Sequence, residues 1–379
     1  MKVLLLDKNL VDPINHEKWD LLASRKGMTI KAVAPTEWVE NSRVLGFSSS
    51  PNTKFPIVPL RVRWPGYENR AFYVGGLGGE MRSFRPDVIL CFEEPFSLFA
   101  LQATILRRFY AHQSKLIFYS WDNIAKGRNY AYRPACLYTL IERFVMRQSS
   151  LLLTANEEGK VYYEHAYSTV VKKLYFGVKL DGEDAHDDSI MAVLERFPSG
   201  SFLLGYVGRL LEMKGVETLI QAVALLNWKV RLVIVGSGPD EPRLRVLVAD
   251  QGLSSRVTFI SAVSSSHARL VMRRLDVLVL PSRTTKKWKE QYGRVLIESM
   301  ALGVPVIGSD SGAIPEVVGD CGLIFHEGDA ESLAGAIKML MSDETLRNEL
   351  SRKGIVRSRE FSAETFADRL HDILLELAS

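Results

Sequence analysis

Two short apolar runs rich in β-branched residues lie within residues 276–310, separated by a basic loop and a helical pattern. The first run ends at Leu280 and the second covers residues 304–307. Continuous apolar runs of this length are typical of parallel strands that are buried on both faces. Between them, Gly293 precedes a periodic apolar segment that Gly303 and Pro305 close, which predicts a helix. This stretch is therefore constrained to a strand–helix–strand unit of a parallel sheet.

Two carboxylates frame the start of the predicted helix. Glu290 lies in the loop before it and Glu298 lies inside it, eight residues further on. The free amide groups at a helix N-terminus favour a phosphate. A ligand that rests there could meet both carboxylates, with Glu298 accepting hydrogen bonds from a sugar diol and Glu290 reaching the other end of the ligand.

This pattern resembles that of a known family. Glu290-x7-Glu298, followed by GVPVIGSDSGAIPEVVGDCGLIF, is similar to the retaining glycosyltransferases of family four, strongly over most of residues 200–350 and loosely over residues 85–180. The resemblance implies an α/β fold of GT-B architecture, with two doubly wound, Rossmann-like domains facing a cleft. It implies a nucleotide-sugar donor, and a C-terminal helix that crosses back to the first domain. We expect an acceptor-side domain at 1–180 plus about 360–379, a linker at 181–199 and a nucleotide-sugar domain at 200–355.

The donor side is expected in the second half. Arg209 and Lys214 flank a strand-to-helix turn, where backbone amides and two cations converge on an anion. In the family resembled, such a pair holds the donor's pyrophosphate, and the base lies near the end of a later strand. Backbone groups can read a base there, so side chains do not separate uracil from guanine; we slightly favour a UDP-sugar over a GDP-sugar. The candidate donor-binding residues are Gly208, Arg209, Lys214, Ala262, Val263, Glu290, Tyr292, Gly293, Arg294, Val295 and Glu298.

The acceptor side is expected in the first half, where strands and helices also alternate. Ligands of parallel sheets bind at the carboxyl ends of the strands. Three of these ends carry polar side chains: Glu93-Glu94, Trp121-Asp122-Asn123 and Asn156-Glu157. Trp121 can stack on a sugar and Asp122 can accept a hydroxyl's hydrogen bond or take its proton. A strand-end turn with a packed Trp is the alternative.

The first half departs from the family resembled at two points. Asp7-Lys8-Asn9 follows the opening strand, where relatives usually have glycines, so either the acceptor is bound differently or another loop supplies that contact. Many relatives also have a histidine near Asp122, and this chain has none there.

Composition limits the class of protein. The chain of 379 residues, 47% of them apolar, is long enough for two domains. It has no apolar run near the roughly 18 residues of a spanning helix and no cleavable signal peptide, so we expect a cytoplasmic protein. Cys91, Cys136 and Cys321 are widely spaced and predict reduced, buried thiols.

Charge is distributed unevenly. Residues 1–180 contain 25 Lys and Arg against 16 Asp and Glu, a net charge of +9, whereas residues 181–379 contain 23 against 28, a net charge of −5. A basic half can contact an anionic membrane surface or a phosphorylated substrate, or can serve solubility alone. Residues 95–110 could lie at a membrane interface, but we favour a helix that covers the sheet. We expect no nucleic-acid partner.

Two further charged segments have alternative interpretations. The loop at residues 283–289, RTTKKWK, could cover the phosphates or the acceptor, or could be a solvated charge run. The acidic residues Glu183, Asp184, Asp187 and Asp188 lie in the linker, and no strand presents them. We therefore expect no metal site and no cofactor, with the nucleotide sugar as co-substrate.

The sequence predicts a retaining hexosyltransferase with Arg209, Lys214, Glu290 and Asp122 as catalytic residues. Its acceptor would be a hydroxyl of a glycan, a lipid-linked or a small molecule. Since no second carboxylate is placed as a nucleophile, same-face attack by the acceptor is favoured, as usually proposed for the family. The alternatives are a sugar-nucleotide epimerase or glycan phosphorylase of the same fold, and a non-catalytic two-lobed sugar-binding protein.

Overall fold

The computed structural model describes residues 1–40, 43–124, 135–180, 182, 187–195 and 197–378. The chain divides into two compact units: Met1–Lys179 with Ala363–Ser379, called unit 1, and Leu180–Ser362, called unit 2. The stretch expected to be a linker contains a helix, Asp188–Leu194, which belongs to unit 2.

The strands are mostly short and apolar, as the sequence runs predict. In chain order they are β1 (Lys2–Leu6), β2 (Thr29–Pro35), β3 (Glu37–Glu40), β4 (Arg43–Gly46), β5 (Ile57–Leu60), β6 (Val62–Arg63), β7 (Phe72–Tyr73), β8 (Val88–Cys91), β9 (Lys115–Ser120), β10 (Leu151–Thr154), β11 (Val171–Lys173), β12 (Phe202–Val207), β13 (Val230–Val235), β14 (Val257–Ile260), β15 (Val277–Leu280), β16 (Val306–Ser309) and β17 (Gly322–Phe325).

Helices connect these strands. In chain order they are α1 (Glu17–Ala23), α2 (Leu77–Phe84), α3 (Leu98–Tyr110), α4 (Ala135–Gln148), α5 (Glu157–Ala166), α6 (Asp188–Leu194), α7 (Val216–Ala224), α8 (Glu241–Asp250), α9 (Ser265–Met272), α10 (Arg294–Ala301), α11 (Ile314–Val318), α12 (Ala330–Ser342), α13 (Glu344–Ser358) and α14 (Ala363–Ala378). None of the helices within the described ranges combines the length and the apolar character needed to span a membrane.

The described part of unit 1 is built on a parallel sheet in the order β11-β10-β9-β8-β1-β2-β5. Every residue of β8 and β10 is buried, because helices cover both faces of the sheet. The chain order reverses between β1 and β8, which pair with Val3 opposite Val88. Ligands of doubly wound sheets bind outside such a switch point.

The connections that contain α2 to α5 all run across the sheet in the direction from β5 towards β11, whereas α1 connects β1 to β2 in the opposite direction. Because crossovers between parallel strands are right-handed, α2 to α5 lie on one face of the sheet and α1 lies on the other. The C-terminal helix α14 packs on α1. Its Phe366 meets Trp19 edge to face, with ring centroids 5.3 Å apart. Gly177 leaves room for that ring, since a Cβ there would lie 2.7 Å from Phe366. These contacts explain why the chain end belongs to unit 1.

Unit 2 has a second parallel sheet, in the order β14-β13-β12-β15-β16-β17 among the described residues. The order reverses between β12 and β15, so this unit has its switch point there. The strand–helix–strand unit predicted from residues 276–310 is β15, α10 and β16.

One expectation needs correction. Cys91 and Cys321 are buried thiols, but Cys136 is exposed because it lies on the outer side of α4. In the glycine-rich stretch 75–79, Gly76, with φ 86°, caps α2, and the residues after it form the first turn of that helix.

Candidate functional site

The switch point of unit 2 brings together two of the residues predicted to bind the donor. Lys214 follows β12 and Glu290 follows β15, and these strands are neighbours in the sheet. The Lys214 Nζ lies 2.7 Å from the Glu290 Oε2. Both side chains are largely buried, Lys214 at 17% exposure and Glu290 at 10%. A partly desolvated cation and carboxylate thus lie side by side where a ligand of this sheet would bind.

Surrounding groups fix the position of Glu290. Ser282 Oγ donates to the same Oε2 atom at 2.7 Å. The backbone oxygen of Glu290 accepts a hydrogen bond from the Ala313 N–H at 2.9 Å. Residues from the loop after β15 and the loop after β16 therefore hold this carboxylate, which reduces the cost of ordering it when a ligand binds.

The turn that carries Lys214 requires glycine. A short 3₁₀ turn ends at Lys214, and Gly215 follows with φ 65° as the residue before α7. A Cβ at Gly215 would lie 2.0 Å from the backbone oxygen of Pro281. Only glycine allows this close approach between the loops after β12 and β15, so Gly215 helps to bring Lys214 to Glu290.

Arg209 lies in the same turn, and its side chain is exposed. Its backbone oxygen accepts a hydrogen bond from the Tyr206 hydroxyl at 2.7 Å. Burial raises the pKa of Tyr206 well above its ordinary value, the charge of Glu290 raises it further, and the Arg209 guanidinium opposes both. Arg209 and Glu290 therefore act electrostatically on one buried phenol.

The basic loop at residues 283–289 is an ordered turn. Thr285 organises it: its N–H donates to the Trp288 backbone oxygen at 2.7 Å, and its Oγ1 accepts from the Trp288 N–H at 2.9 Å. The Lys214 Nζ lies 4.7 Å from the centroid of the Trp288 ring. The loop thus supplies an aromatic wall to the ammonium group that Glu290 also contacts.

Helix α10 starts at the predicted place. Gly293 precedes it with φ 70°, a conformation that favours glycine. Glu298 Oε1 accepts a 2.7 Å hydrogen bond from the Arg294 Nε one turn earlier. Arg294 therefore orients Glu298, a relation the sequence analysis did not assign. Val295 is half-buried in the same turn.

The other candidate donor residues are more scattered. Ala262 is exposed beyond β14, and its N–H donates to Ser237 Oγ at 3.1 Å. Val263, beside it, is half-buried, and Gly208 lies between the end of β12 and Arg209. Tyr292 packs edge to face on Phe361, with ring centroids 6.1 Å apart. Their roles towards a donor remain predictions.

The switch point of unit 1 holds a buried ion pair. The Lys8 Nζ lies 2.7 Å from the Glu93 Oε2, and the side chains are only 3% and 4% exposed. The Lys8 N–H also donates to Glu93 Oε1 at 3.1 Å. After β1, where the family resembled usually has glycines, this chain has Lys8, which pairs with Glu93 at the end of the neighbouring strand β8.

Burial and charge act in opposition on this pair. Burial raises the pKa of the Glu93 carboxyl to about 7, against the attraction of the Lys8 ammonium. Burial alone would lower the pKa of Lys8, but the carboxylates of Glu93, Glu68 and Asp7 outweigh it and raise that pKa. Lys8 thus stays protonated at neutral pH, and its ammonium group limits the rise in the pKa of the Glu93 carboxyl.

The carboxylate of Glu94, the residue after Glu93, holds the loop after β9 through hydrogen bonds. Glu94 accepts hydrogen bonds from Ser120 Oγ at 2.6 Å and from the Trp121 N–H at 3.0 Å. The Lys8 Nζ lies 4.9 Å from the Trp121 ring centroid. Asp122 Oδ1 accepts from the Ile124 N–H at 3.1 Å, which closes a local turn.

The remaining acceptor-side candidates have structural contacts. Asn123 Nδ2 donates to Glu158 at 3.1 Å, and Asn156 Nδ2 donates to the Trp121 backbone oxygen at 3.1 Å. Asn156 Oδ1 also caps α5. Glu157 pairs with Lys173 at 2.9 Å. Asn123 and Asn156 therefore tie the loop after β9 to α5, and Trp121 and Asp122 stay the better candidates for acceptor contact.

The described residues contain no group of three or more His, Cys, Asp or Glu side chains placed to hold an ion. Glu183 and Asp184 of the acidic segment lie outside the described residues. Asp187 contacts His267 at 3.3 Å, and Asp188 begins α6.

Sequence reasoning missed several residues that build these sites. Ser282 touches Glu290, but no local pattern in the sequence indicates that contact. Lys8 was noted only as a departure from glycine, and its partner lies 85 positions away. The capping role of Asn156 had a visible signal, because an asparagine followed by two acids is typical of a helix start.

The match to a known protein family falls within unit 2, the unit that contains Lys214 and Glu290. Residues 192–357 match the family model described as Glycosyl transferases group 1. D-inositol 3-phosphate glycosyltransferase from Corynebacterium jeikeium is 30% identical over 192 residues, which are 48% of this chain and 45% of that protein. The lipopolysaccharide core biosynthesis glycosyltransferase LpsE from Rhizobium meliloti is 34% identical over 180 residues, 47% of this chain and 51% of that protein. The chain spans about half the length of these curated relatives.

Solved structures match the whole chain at lower identity. Sucrose-phosphate synthase from Thermosynechococcus elongatus has a TM-score of 0.74 at 19% identity and covers 100% of both chains. Anabaena HepE in complex with UDP has a TM-score of 0.73 at 17% identity and covers 99% of this chain and 100% of that one. The predicted fold is thereby confirmed: it is α/β with parallel sheets in two Rossmann-like halves, its solved neighbours are GT-B glycosyltransferases, and residues 192–357 match a glycosyltransferase family.

Proposed function

We propose that this protein is a retaining glycosyltransferase that moves a hexose from a nucleoside diphosphate sugar to a hydroxyl of a glycan, a lipid-linked or a small-molecule acceptor. The 2.7 Å contact between Lys214 and Glu290 at the switch point of unit 2 carries the proposal. It places a cation suited to a diphosphate beside a carboxylate suited to sugar hydroxyls. The match of residues 192–357 to glycosyltransferases supports it. Anabaena HepE has been solved with UDP and with UDP-glucose, which favours a UDP-sugar donor.

The chemical step needs a leaving group that is stable as it gains negative charge. As the bond between the anomeric carbon and the diphosphate oxygen breaks, Lys214, Arg209 and the amide groups at the start of α10 would offset the charge on the diphosphate. Lys214 is poorly hydrated at 17% exposure, which strengthens its effect on that charge.

Glu290 and Glu298 would position the donor. Glu290, held by Ser282, would accept hydrogen bonds from the hexose hydroxyls, and Glu298, oriented by Arg294, would accept them from the ribose. The acceptor oxygen would attack the anomeric carbon on the face that the diphosphate leaves, and its proton would pass to a diphosphate oxygen. The configuration at the anomeric carbon is then retained without a covalent intermediate.

Product analysis tests this function. The protein is incubated with UDP-, GDP- and ADP-glucose, with and without a panel of glycan, lipid-linked and small-molecule acceptors. We expect acceptor-dependent release of one nucleoside diphosphate and a glycoside whose anomeric configuration, read from the NMR coupling constant, matches that of the donor. A donor sugar converted to its epimer without acceptor would assign an epimerase, and binding without turnover a binding protein.

Turnover is expected to be independent of a divalent metal, because Arg209, Lys214 and the N-terminus of α10 already supply positive charge to the diphosphate. Initial rates in excess EDTA should equal those with added magnesium within about twofold. A rate that EDTA abolishes and that magnesium or manganese restores would contradict this prediction.

Asp122 is expected to act on the acceptor only. Asp122→Asn keeps an oxygen that can accept from the Ile124 N–H, so the turn survives while the negative charge is lost. We expect transfer to fall by about 100-fold, the usual effect of misplacing a reacting group, because Asp122 would no longer orient the acceptor hydroxyl through a charged hydrogen bond. The affinity for the nucleoside diphosphate should change little. Glu164→Gln, which alters an exposed ion pair with Lys160 on α5, is the matched control. Equal loss of transfer and of nucleotide affinity, or loss of neither, would remove Asp122 from the acceptor site.

A further inference from the structure

Helices α3 and α4 pack side by side and present large apolar side chains to solvent. Phe109 is 76% exposed and Leu140 is 61% exposed. Ile105 lies one turn before Phe109, and Leu137 lies one turn before Leu140, so each helix carries an apolar strip. The opposite side of α3 is buried against the sheet. Packing on the sheet therefore explains the apolar residues on that side but not Ile105 and Phe109.

Arginines accompany these strips. Arg108 is exposed beside Phe109, and Arg143 and Arg147 continue the exposed side of α4. Arg82, exposed on the adjoining helix α2, extends the basic area. We call this surface the α3–α4 face; it consists of Arg82, Ile105, Arg108, Phe109, Leu137, Leu140, Arg143 and Arg147.

The α3–α4 face has no counter-charge of its own. Helices α2, α3 and α4 contain only two acidic residues, Glu80 and Glu142. Glu142 is 1% exposed and accepts hydrogen bonds from the Tyr163 and Tyr167 hydroxyls, both at 3.1 Å. Glu80 pairs with Lys31 at 2.5 Å. Both carboxylates are thus engaged by other parts of unit 1.

We infer that the α3–α4 face is a docking surface for an anionic lipid bilayer. Protruding aromatic and aliphatic side chains can enter the boundary between headgroups and acyl chains, while neighbouring arginines meet anionic headgroups. The net charge of +9 over residues 1–180 adds a long-range attraction of the same sign. The proposed transfer reaction is not needed for this inference, because vesicle binding is measured without donor or acceptor.

Sedimentation with vesicles tests the inference. We expect the protein to pellet with vesicles of phosphatidylcholine containing about 30 mol% phosphatidylglycerol, and far less with phosphatidylcholine alone. Arg108→Gln/Arg143→Gln should lower the partition coefficient by roughly 30-fold. Phe109→Ser/Leu140→Ser should lower it by about tenfold or more, since both side chains lose apolar area that would be buried. High salt should weaken binding through screening.

Lys338→Gln/Arg352→Gln removes the same charge from exposed positions of α12 and α13 and should leave binding within about twofold. Thermal unfolding of each variant shows that it is folded, as expected for exposed positions. Wild-type protein that stays in solution with both vesicles, or control variants that lose as much binding as the arginine pair, would overturn the inference. Sedimentation velocity that shows a dimer, made monomeric by Phe109→Ser/Leu140→Ser, would also overturn it and assign the face to a second copy of the chain.

Discussion

Lys214→Met is expected to lower the turnover of the nucleoside diphosphate sugar by about 100-fold or more, as for loss of one electrostatic contact to a developing negative charge. Methionine retains most of the apolar stem of lysine but not the ammonium group. The variant loses the cation 2.7 Å from Glu290 and the charge over the Trp288 ring. Steady-state kinetics, with the donor that the product analysis identifies, measures the effect, and nucleoside diphosphate affinity should fall as well.

Lys229→Met is the control for this substitution. Lys229 is exposed at the amino end of β13, whereas Lys214 and Glu290 lie beyond the carboxyl ends of β12 and β15, so turnover should change no more than a few-fold. Glu290→Gln is the complementary variant, since glutamine can still accept from Ser282 but no longer offsets the charge of Lys214. A folded Lys214→Met protein with near-normal kcat and KM would contradict the role given to Lys214.

Breaking the Lys8–Glu93 pair is expected to destabilise unit 1 strongly. Glu93→Leu leaves the Lys8 ammonium buried without the carboxylate that lies 2.7 Å from it. Removal of one partner of a buried ion pair typically costs about 3–5 kcal/mol of the free energy of unfolding. Lys8→Met/Glu93→Leu should recover most of the loss, because replacing both charges by apolar groups leaves none uncompensated. Urea unfolding followed by circular dichroism gives these free energies.

A surface ion pair of the same unit is the control. Arg25 and Asp368 lie 2.6 Å apart, but their side chains are 28% and 56% exposed. Asp368→Leu should cost no more than about 1 kcal/mol, as exposed pairs usually contribute little. If Glu93→Leu costs as little as Asp368→Leu, or if Lys8→Met/Glu93→Leu is less stable than Glu93→Leu, the buried pair does not have the role described above.

Local signals made much of the fold predictable. The apolar run that ends at Leu280 is strand β15, and the periodic segment after Gly293 is helix α10. Both were predictable because residues close together in the sequence determine strand burial and helix capping. Helix α14 has an apolar face that needs cover, but its contact with Trp19 joins opposite ends of the chain and was expected only through the family resemblance.

Long-range contacts limited the prediction of the sites. Arg209, Lys214, Glu290 and Glu298 were selected from motifs, yet the pairing of Lys214 with Glu290 spans 76 positions and depends on the order of β12 and β15. Lys8 and Glu93 meet because β1 and β8 are neighbours, an order that no local pattern encodes. The exposure of Cys136 likewise depends on which side of α4 packs on the sheet.

Calorimetric titration with nucleoside diphosphates tests the central claim most directly, since it requires no knowledge of the acceptor. UDP, GDP and ADP are titrated in turn into the wild-type protein and into Lys214→Met. We predict that one of them, expected to be UDP, binds the wild-type protein at one site per chain and binds Lys214→Met at least about tenfold more weakly, the loss expected for one charge-assisted contact. Absence of binding for all three, or equal affinity for both proteins, would contradict the assignment of this site to a nucleotide-sugar donor.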